Sequence, residues 1–291
     1  MSSLVRPLFD DPLDIVGDVH GEFDALDDLR RRLGYDTAGR HPDGRHLVFV
    51  GDLCDRGPRS LSTMRWVRRL VTDGHAQWVI GNHELALVTG QHKHGNAWFF
   101  DTGLEKDREY APFESLTDAS ERADLQAFLD TLPLALERPD LRVVHAAWHA
   151  TSIAACRATS GPVSALYARY TKACESLEPG RTLRVEYDTI SERRRRDLAD
   201  PRAQFTRHEA HALGAYDVHY QMANPVRVLT SGIESLADAP FYASGKQRFT
   251  KREPWWPDYH DPIPVVFGHF WRRWDPRSHS RFNQGEELLF I

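Results

Sequence analysis

The sequence predicts an α/β domain in which a sheet is covered by helices. Two observations carry this. Five short apolar runs recur along the chain, four of them closed by a glycine. Between them lie segments whose apolar residues return at helical spacing. A third observation sets the scale: 291 residues fit one large domain, or one domain with a big insertion, with ample material for a core.

In order, Leu13 to Val16 is the first run, closed by Gly17. Phe23, Leu26, Leu29 and Leu33 then predict a helix. His46 to Val50 is the second run, closed by Gly51. Pro58 can open the next helix, which Leu61, Met64, Val67 and Leu70 line and Gly74 stops. Trp78 to Ile80 is the third run, closed by Gly81. Leu125, Phe128 and Leu129 mark another helix, Leu141 to Val144 a fourth strand, and Val265 to Phe267, closed by Gly268, the last. Residues 151–262 differ: a helical stretch around Ala165 to Cys174 is followed by Arg-, Pro- and aromatic-rich loops such as Lys251 to Pro264. They read as an elaboration within a single domain spanning 1–291. Glu192 and Asp197 flank the run Arg193 to Arg196, which therefore reads as a solvated helix face rather than a nucleic-acid patch.

Composition narrows the class. Apolar residues make up 41% and charged residues 27%, ordinary for a globular chain. The net charge of −5 lacks the basic footprint of a general nucleic-acid binder. Cys54, Cys156 and Cys174 form no CxxC pair and suggest a reducing compartment without a thiolate zinc site. The N-terminal stretch lacks the basic and apolar regions of a signal peptide, and no apolar run approaches a membrane span. The expectation is a soluble, cytoplasmic protein with no membrane partner.

Polar residues cluster at the ends of the apolar runs: Gly17-Asp18-Val19-His20-Gly21, then Gly51 to Pro58, then Gly81-Asn82-His83-Glu84, then His145, then Gly268-His269. Ligands of α/β sheets bind outside the carboxyl ends of the strands, so these residues are expected around one crevice. Asp18, His20, Asp52, Asn82, His145 and His269 are oxygen and nitrogen donors with no thiolate. Six donors exceed one tetrahedral ion and suit two neighbouring ions, with a carboxylate such as Asp52 able to bridge them. The mixture fits Mn, Fe or Zn better than Ca or Mg. Paired metals are a recurring solution for phosphoester hydrolysis.

GDVHG, GDLCDRGP, GNHE, the VHA strand end and the final FGH resemble the calcineurin-like metallophosphoesterase superfamily, within it the phosphoprotein phosphatase branch of bacterial and phage type. The resemblance implies a central mixed β-sandwich of two sheets flanked by helices, with a helical and loop insertion before the last motif. It also implies roles. Asp18 and His20 bind the first metal, Asp52 bridges, and Asn82, His145 and His269 complete the second. His83 is the general acid, Asp55 orients it, and Arg56 holds the substrate phosphate. The attacking species is a metal-bridging hydroxide, and the metals are two divalent ions, Mn first, with Fe or Zn as alternatives. A second phosphate-binding arginine is expected between His145 and His269, with Arg157, Arg169 and Arg181 as candidates. Trp148, His149 and Trp271 stand beside proposed ligands as possible pocket walls, while Cys54 reads as a buried filler.

The function expected is hydrolysis of phosphomonoesters, foremost of phosphoprotein Ser/Thr or Tyr phosphate. The expected partners are a phosphorylated protein or peptide, or a small phosphoester, and not a nucleic acid. One alternative resembles symmetrical dinucleoside tetraphosphatase, a group in which the position of Asp55 typically carries another residue. Another is an RNA-end phosphatase or phosphodiesterase, although the chain has no P-loop of an accompanying kinase. A non-catalytic module would have lost a ligand or His83, and none is lost.

Overall fold

Strands that bury both faces read as continuous apolar runs, and this chain builds its core from them. The structure, a computed structural model, describes residues 3–100, 105–243 and 245–270. The chain runs through β1 (Val5–Pro7), β2 (Leu13–Val16), α1 (Phe23–Leu33), β3 (His46–Phe49), α2 (Ser60–Thr72), β4 (Ala76–Trp78), α3 (Asn82–Val88), α4 (Ala97–Phe100) and α5 (Ala119–Leu129). It continues through β5 (Ala135–Arg138), β6 (Leu141–Val144), α6 (Ala150–Arg157), α7 (Val163–Ser176), α8 (Gly180–Arg193), α9 (Arg207–Met222) and α10 (Pro225–Ser231). The hairpin β7 (Ile233–Ala243) and β8 (Lys246–Glu253) precedes β9 (Val265–Phe267).

Two sheets face each other. One has the order β2-β3-β4, all parallel. The other has the order β1-β5-β6-β9, with an antiparallel β5–β6 pair between parallel neighbours. Side chains alternate between two apolar layers, as the strand period of two requires. Val48, Val50 and Val79 from one sheet meet Leu136 and Val143 from the other in an inner layer. Leu47, Phe49, Ala135 and Val144 point outward into the larger core that the helices cover. The expected mixed sandwich flanked by helices is the architecture found.

The expected strands and helices recur, with shifts. The third strand is β4, which ends at Trp78, before Val79 and Ile80. Val79 N–H donates to Phe49 O, but Ile80 N–H donates to Pro133 O, so the chain leaves the ladder while both residues stay buried. Helix α2 opens at Ser60, two residues after Pro58. The loop expected at Lys251 is still strand through Glu253, because Glu234 and Ile233 of β7 pair with Arg252 and Glu253. The arginine run lies at the end of α8, where Arg193 pairs with Glu209 and Arg194 with Asp197, as a solvated face would. The helices α8 and α9 pack with β8 around a separate small apolar cluster that includes Ile190, Leu213 and Phe249. Among the described residues no helix is long and apolar enough to cross a membrane.

Candidate metal centre

Strands β2, β3, β4, β6 and β9 all deliver their carboxyl ends to one place, and the polar motifs begin there. The loops interlock through backbone hydrogen bonds. Val19 and His20 N–H both donate to Asp52 O at 3.0 Å, Gly57 N–H to His20 O at 2.8 Å, and Gly268 N–H to His145 O at 2.9 Å. The interlock holds five non-glycine residues in left-handed backbone: His20, Asp52, Asp55, Arg56 and His269, with φ from 47° to 72°. Each is a residue the motifs single out, and such conformations persist only where the surroundings over-determine them. Gly81 meets the same crowding from the other side. A Cβ there would lie 2.3 Å from Asp52 Oδ1.

The donors fall into two groups that share one residue. His20, Asp52 and His83 bring ligand atoms within 4.8 Å of one another, and so do Asp52, His145 and His269. Histidine orientation suits this. His145 Nδ1–H donates to Val50 O at 2.8 Å and His20 Nδ1–H to Cys54 O at 3.0 Å. Both rings therefore turn Nε2 toward the centre, the second-sphere arrangement that makes imidazole a good ligand. One corner of the Asn82 carboxamide lies 2.8 Å from His269 Nδ1, 3.2 Å from Asp52 Oδ2 and 3.3 Å from His145 Nε2 and Thr230 O. The amide nitrogen in that corner meets acceptors, whereas the oxygen there brings lone pairs together and suits a cation. Asp18 lies beside the centre, within electrostatic reach of His145, Asp52 and His83. Its carboxylate accepts the His269 N–H at 3.0 and 3.2 Å, while His83 occupies the first group. The residues present fit a pair of cations.

Electrostatics at the centre follow burial and crowding. Burial pushes Asp52 up, but His145 and His83 beside it hold it well below the usual carboxylate range. Burial opposes a charge on His145, yet Asp52 pushes it up to about 9. Burial takes His20 down to about 4 and lowers His269, helped by His145. Burial, with Asp52 beside it, raises Asp18. A bound cation would reset all of these.

His83 has a different environment. Its Nδ1 lies 2.6 Å from Asp55 Oδ2. Asp55, wholly buried, also accepts Trp98 Nε1–H through Oδ1 at 2.7 Å, and its N–H donates to Ser60 Oγ at 3.0 Å. Burial lowers the His83 pKa, but Asp52 and Asp55 outweigh it and raise it. Arg56 spans the opening, donating through Nη1 to His20 Nε2 at 3.1 Å and through Nη2 to His83 Nε2 at 3.2 Å. A cleft of 950 Å³ opens above, with His20, Arg56 and His83 at its base and Lys93, Tyr110 and Arg248 further out.

Other expected residues lie apart from this cleft. Trp148 and His149 line a separate hollow of 760 Å³ with Trp255 and Tyr259, because Trp148 turns away to stack under Arg142 at 4.8 Å. Trp271 lies outside the described residues. Arg157 pairs with Glu137 and Arg181 with Glu178 on the surface, and Arg169 lies over Tyr170. The arginine of that segment whose charge reaches Asp52 and His269 is Arg252 of β8. Cys54 is a buried filler, its thiol pushed up by burial.

Two residues have roles that the sequence did not assign. Glu84, wholly buried, accepts N–H bonds from Asp52 and Gly81 at 2.9 Å and from Leu53 at 2.7 Å, so it ties the second loop to the third. An acid at the third position of a helix is a capping signal that could have revealed it. Trp98 has no local signal, since it meets Asp55 from 43 positions away.

Residues 12–154 match the family model of calcineurin-like phosphoesterases. The asymmetrical bis(5'-nucleosyl)-tetraphosphatase PrpE of Bacillus subtilis is 34% identical over 148 residues, 48% of this chain and 59% of that protein. Its namesake from Halalkalibacterium halodurans is 52% identical over 73 residues, 24% of this chain and 30% of that protein. The chain thus spans less than two thirds of the length of these curated relatives. Among solved structures, a metallophosphoesterase from Sphaerobacter thermophilus is 26% identical over 46% of each chain, with a TM-score of 0.30. A cold-active protein-tyrosine phosphatase from a Shewanella species is 18% identical over 60% of this chain and 55% of that one, with a TM-score of 0.38. Across residues 12–154 the chain is thus similar to the calcineurin-like phosphoesterases, in its motifs and in its match to their family model.

Proposed function

We propose that this chain is a metal-dependent phosphoester hydrolase whose substrate is a small nucleotide, a nucleoside polyphosphate or dinucleoside polyphosphate. The observation that carries the hydrolase reading is Asp52, shared by two donor groups in which His20 and His145 turn Nε2 inward. The substrate class is supported by the names of the relatives, asymmetrical bis(5'-nucleosyl)-tetraphosphatases. Those names turn the substrate away from the phosphoprotein expected from the motifs.

In this reading His20, Asp52, Asn82, His145 and His269 hold two divalent ions, Mn by preference, and Asp18 supports them through the His269 backbone. Such ions supply Lewis acidity and a reactive nucleophile at neutral pH. Arg56 presents a guanidinium fork that matches phosphate oxygens and orients the reacting group. His83 holds a proton for the leaving oxygen, and Asp55 accepts from Nδ1 so that Nε2 faces the cleft. Glu84 and the interlocked loops fix these groups before substrate arrives. Residues 151–262 act as an elaboration of one domain, contributing Arg248 and Arg252 to the cleft side. A cytoplasmic setting belongs to the same proposal, supported by three buried, unpaired cysteines.

One observation favours a second reading, phosphomonoester hydrolysis. The buried Trp98–Asp55–His83 chain is built to deliver a proton, which alkoxide leaving groups need and nucleotide leaving groups need less. Steady-state kinetics on metal-defined protein decides between them, with diadenosine tetraphosphate, a nucleoside triphosphate, a phosphopeptide and an aryl phosphate compared. Under the nucleotide reading the nucleotides have the highest kcat/KM and chelation abolishes turnover. A higher kcat/KM for the phosphopeptide would replace it with the second reading, and turnover that survives chelation would remove both.

A further inference from the structure

The outer cleft carries two cations that the reaction chemistry leaves unused. Lys93 lies on the segment between α3 and α4, and Arg248 lies on β8, so they reach the same cleft from elements far apart in sequence. Among the described residues neither has a carboxylate within ion-pair distance. Arg248 Nε donates to Ala243 O at 3.4 Å, and Lys93 N–H donates to Asn96 Oδ1 at 3.0 Å, which leaves the ammonium uninvolved. Charges behind them are mixed. Burial and Arg227 lower the Lys93 pKa, with Asp52 and Asp55 at the metal centre opposing, while Arg248 contributes to the surroundings of Asp217, Lys246 and Arg252. Glu22 is the carboxylate that lines the cleft, against Arg56, Lys93 and Arg248.

Two features make this more than a basic surface. The cleft of 950 Å³ is at the upper end of the range for small-molecule sites and far larger than one phosphate needs. Its base is already committed, because Arg56 bridges His20 and His83. An extended anion whose reacting phosphate sits at Arg56 has its next charges in the outer cleft.

We propose that Lys93 and Arg248 form a second anion subsite, which holds a phosphate of the substrate chain beyond the one that reacts. The subsite selects polyphosphates over simple monoesters. Bringing the two cations from opposite segments gives it a clamp, and the charge-assisted contacts are the strong kind. This inference rests on the nucleotide reading for its substrate.

The test is inhibition of aryl phosphate hydrolysis by inorganic tripolyphosphate and by inorganic phosphate, on the metal-loaded chain at fixed free Mn²⁺. Lys93→Met and Arg248→Met should each weaken tripolyphosphate inhibition about tenfold more than phosphate inhibition, the usual size of one charged hydrogen bond. Arg248→Lys should recover part of the loss, which a merely disrupted fold would not. For diadenosine tetraphosphate the two Met variants should raise KM more than they lower kcat. Calorimetric binding of the same two anions reads the same preference if aryl turnover is slow. The proposal fails if tripolyphosphate binds wild type no better than phosphate, or if the variants weaken both anions equally. It also fails if a phosphopeptide responds to the variants more than tripolyphosphate does. A wild type that ignores the dinucleotide but shows the tripolyphosphate pattern would remove the nucleotide reading and leave the subsite. A wild type that cleaves the dinucleotide without that pattern would do the reverse.

Discussion

Replacing Asp55 with Asn should remove the acid catalysis while leaving the donor groups in place. The geometry dictates how. Asp55 Oδ1 accepts from Trp98 Nε1 at 2.7 Å and Oδ2 from His83 Nδ1 at 2.6 Å. An indole N–H can only donate, so the carboxamide oxygen must stay at Trp98 and its NH₂ must face His83. Nδ1 then has to accept, and the imidazole proton moves to Nε2, where Arg56 Nη2 already points a donor at 3.2 Å. An imidazolium would then point Nδ1–H at the Asn NH₂, a clash that the native carboxylate, an acceptor, does not impose. Loss of a general acid costs about 10²–10⁴-fold, or about 3–5 kcal/mol of barrier. Asp55 is also one of the charges that raise the His83 pKa. His83 acts in its protonated form, so the high-pH limb of kcat should move to lower pH in the variant. The assay is kcat against pH on Mn²⁺-loaded protein for an alkyl and an aryl phosphate. The alkyl ester should suffer more, because a good leaving group needs less protonation. Equal losses on both esters with an unmoved pH limb would refute the reasoning and make Asp55 a loop-organising residue.

Arg56→Gly should relieve left-handed backbone at φ 68°, about 1 kcal/mol, and raise the Tm of metal-free protein by about 2–4 °C. The same change should cut kcat/KM about a hundredfold through loss of the phosphate fork, and a lower Tm would count against the strain argument. Burial raises Asp217 to about 6, so its contribution to stability is present below the unfolded value near 3.8 and lost as pH rises through 6. Asp217→Asn should therefore match wild type near pH 4 and exceed it at pH 8 by up to about 2–3 kcal/mol in chemical denaturation; a constant difference across that range would contradict the assignment. Mn²⁺ at a hundred times the Kd of each of two sites should stabilise the fold by about 5.4 kcal/mol, about 2.7 per ion, and the gain should vanish in Asp52→Asn. A variant that keeps it would deny Asp52 its shared position.

The legible parts of the fold were those whose side chains announce their burial. Strand β3 sends Leu47 and Phe49 into one layer and Val48 and Val50 into the other, so the run is apolar throughout and stands out. Strand β8 shows the opposite. Its sequence KQRFTKRE buries only Gln247 and Phe249, and its ladder with β7 is set by backbone pairing, which leaves no apolar run to find. Strands β1 and β5 were hidden because VRP and ALER hold no continuous apolar run, and because they depend on each other for register. The long segment before β9 was opaque for a related reason: its small core gathers Ile190, Leu213 and Phe249 from three elements, and none of them signals the others.

The base of the site was legible because strain leaves a mark in sequence. Left-handed backbone costs a non-glycine residue roughly 1–2 kcal/mol, so a chain keeps it only where a side chain is needed at that spot. His20, Asp52, Asp55, Arg56 and His269 all pay that cost, and glycines crowd around them. Asp52 is the sharpest case. Its carbonyl takes two N–H bonds from the first loop, its amide is held by Glu84, and its Oδ1 accepts the His83 N–H at 3.0 Å. With those groups committed, Oδ2 alone is left to face His145 at 3.3 Å and His83 at 3.9 Å. The outer cleft carries no such mark. Lys93, exposed, and Arg248, half-buried, sit in ordinary backbone, so their meeting in the cleft is a property of the fold and not of any local pattern. Chemistry that needs strained geometry is written into short motifs, whereas selectivity set by charges on distant elements has to be read from the assembled structure.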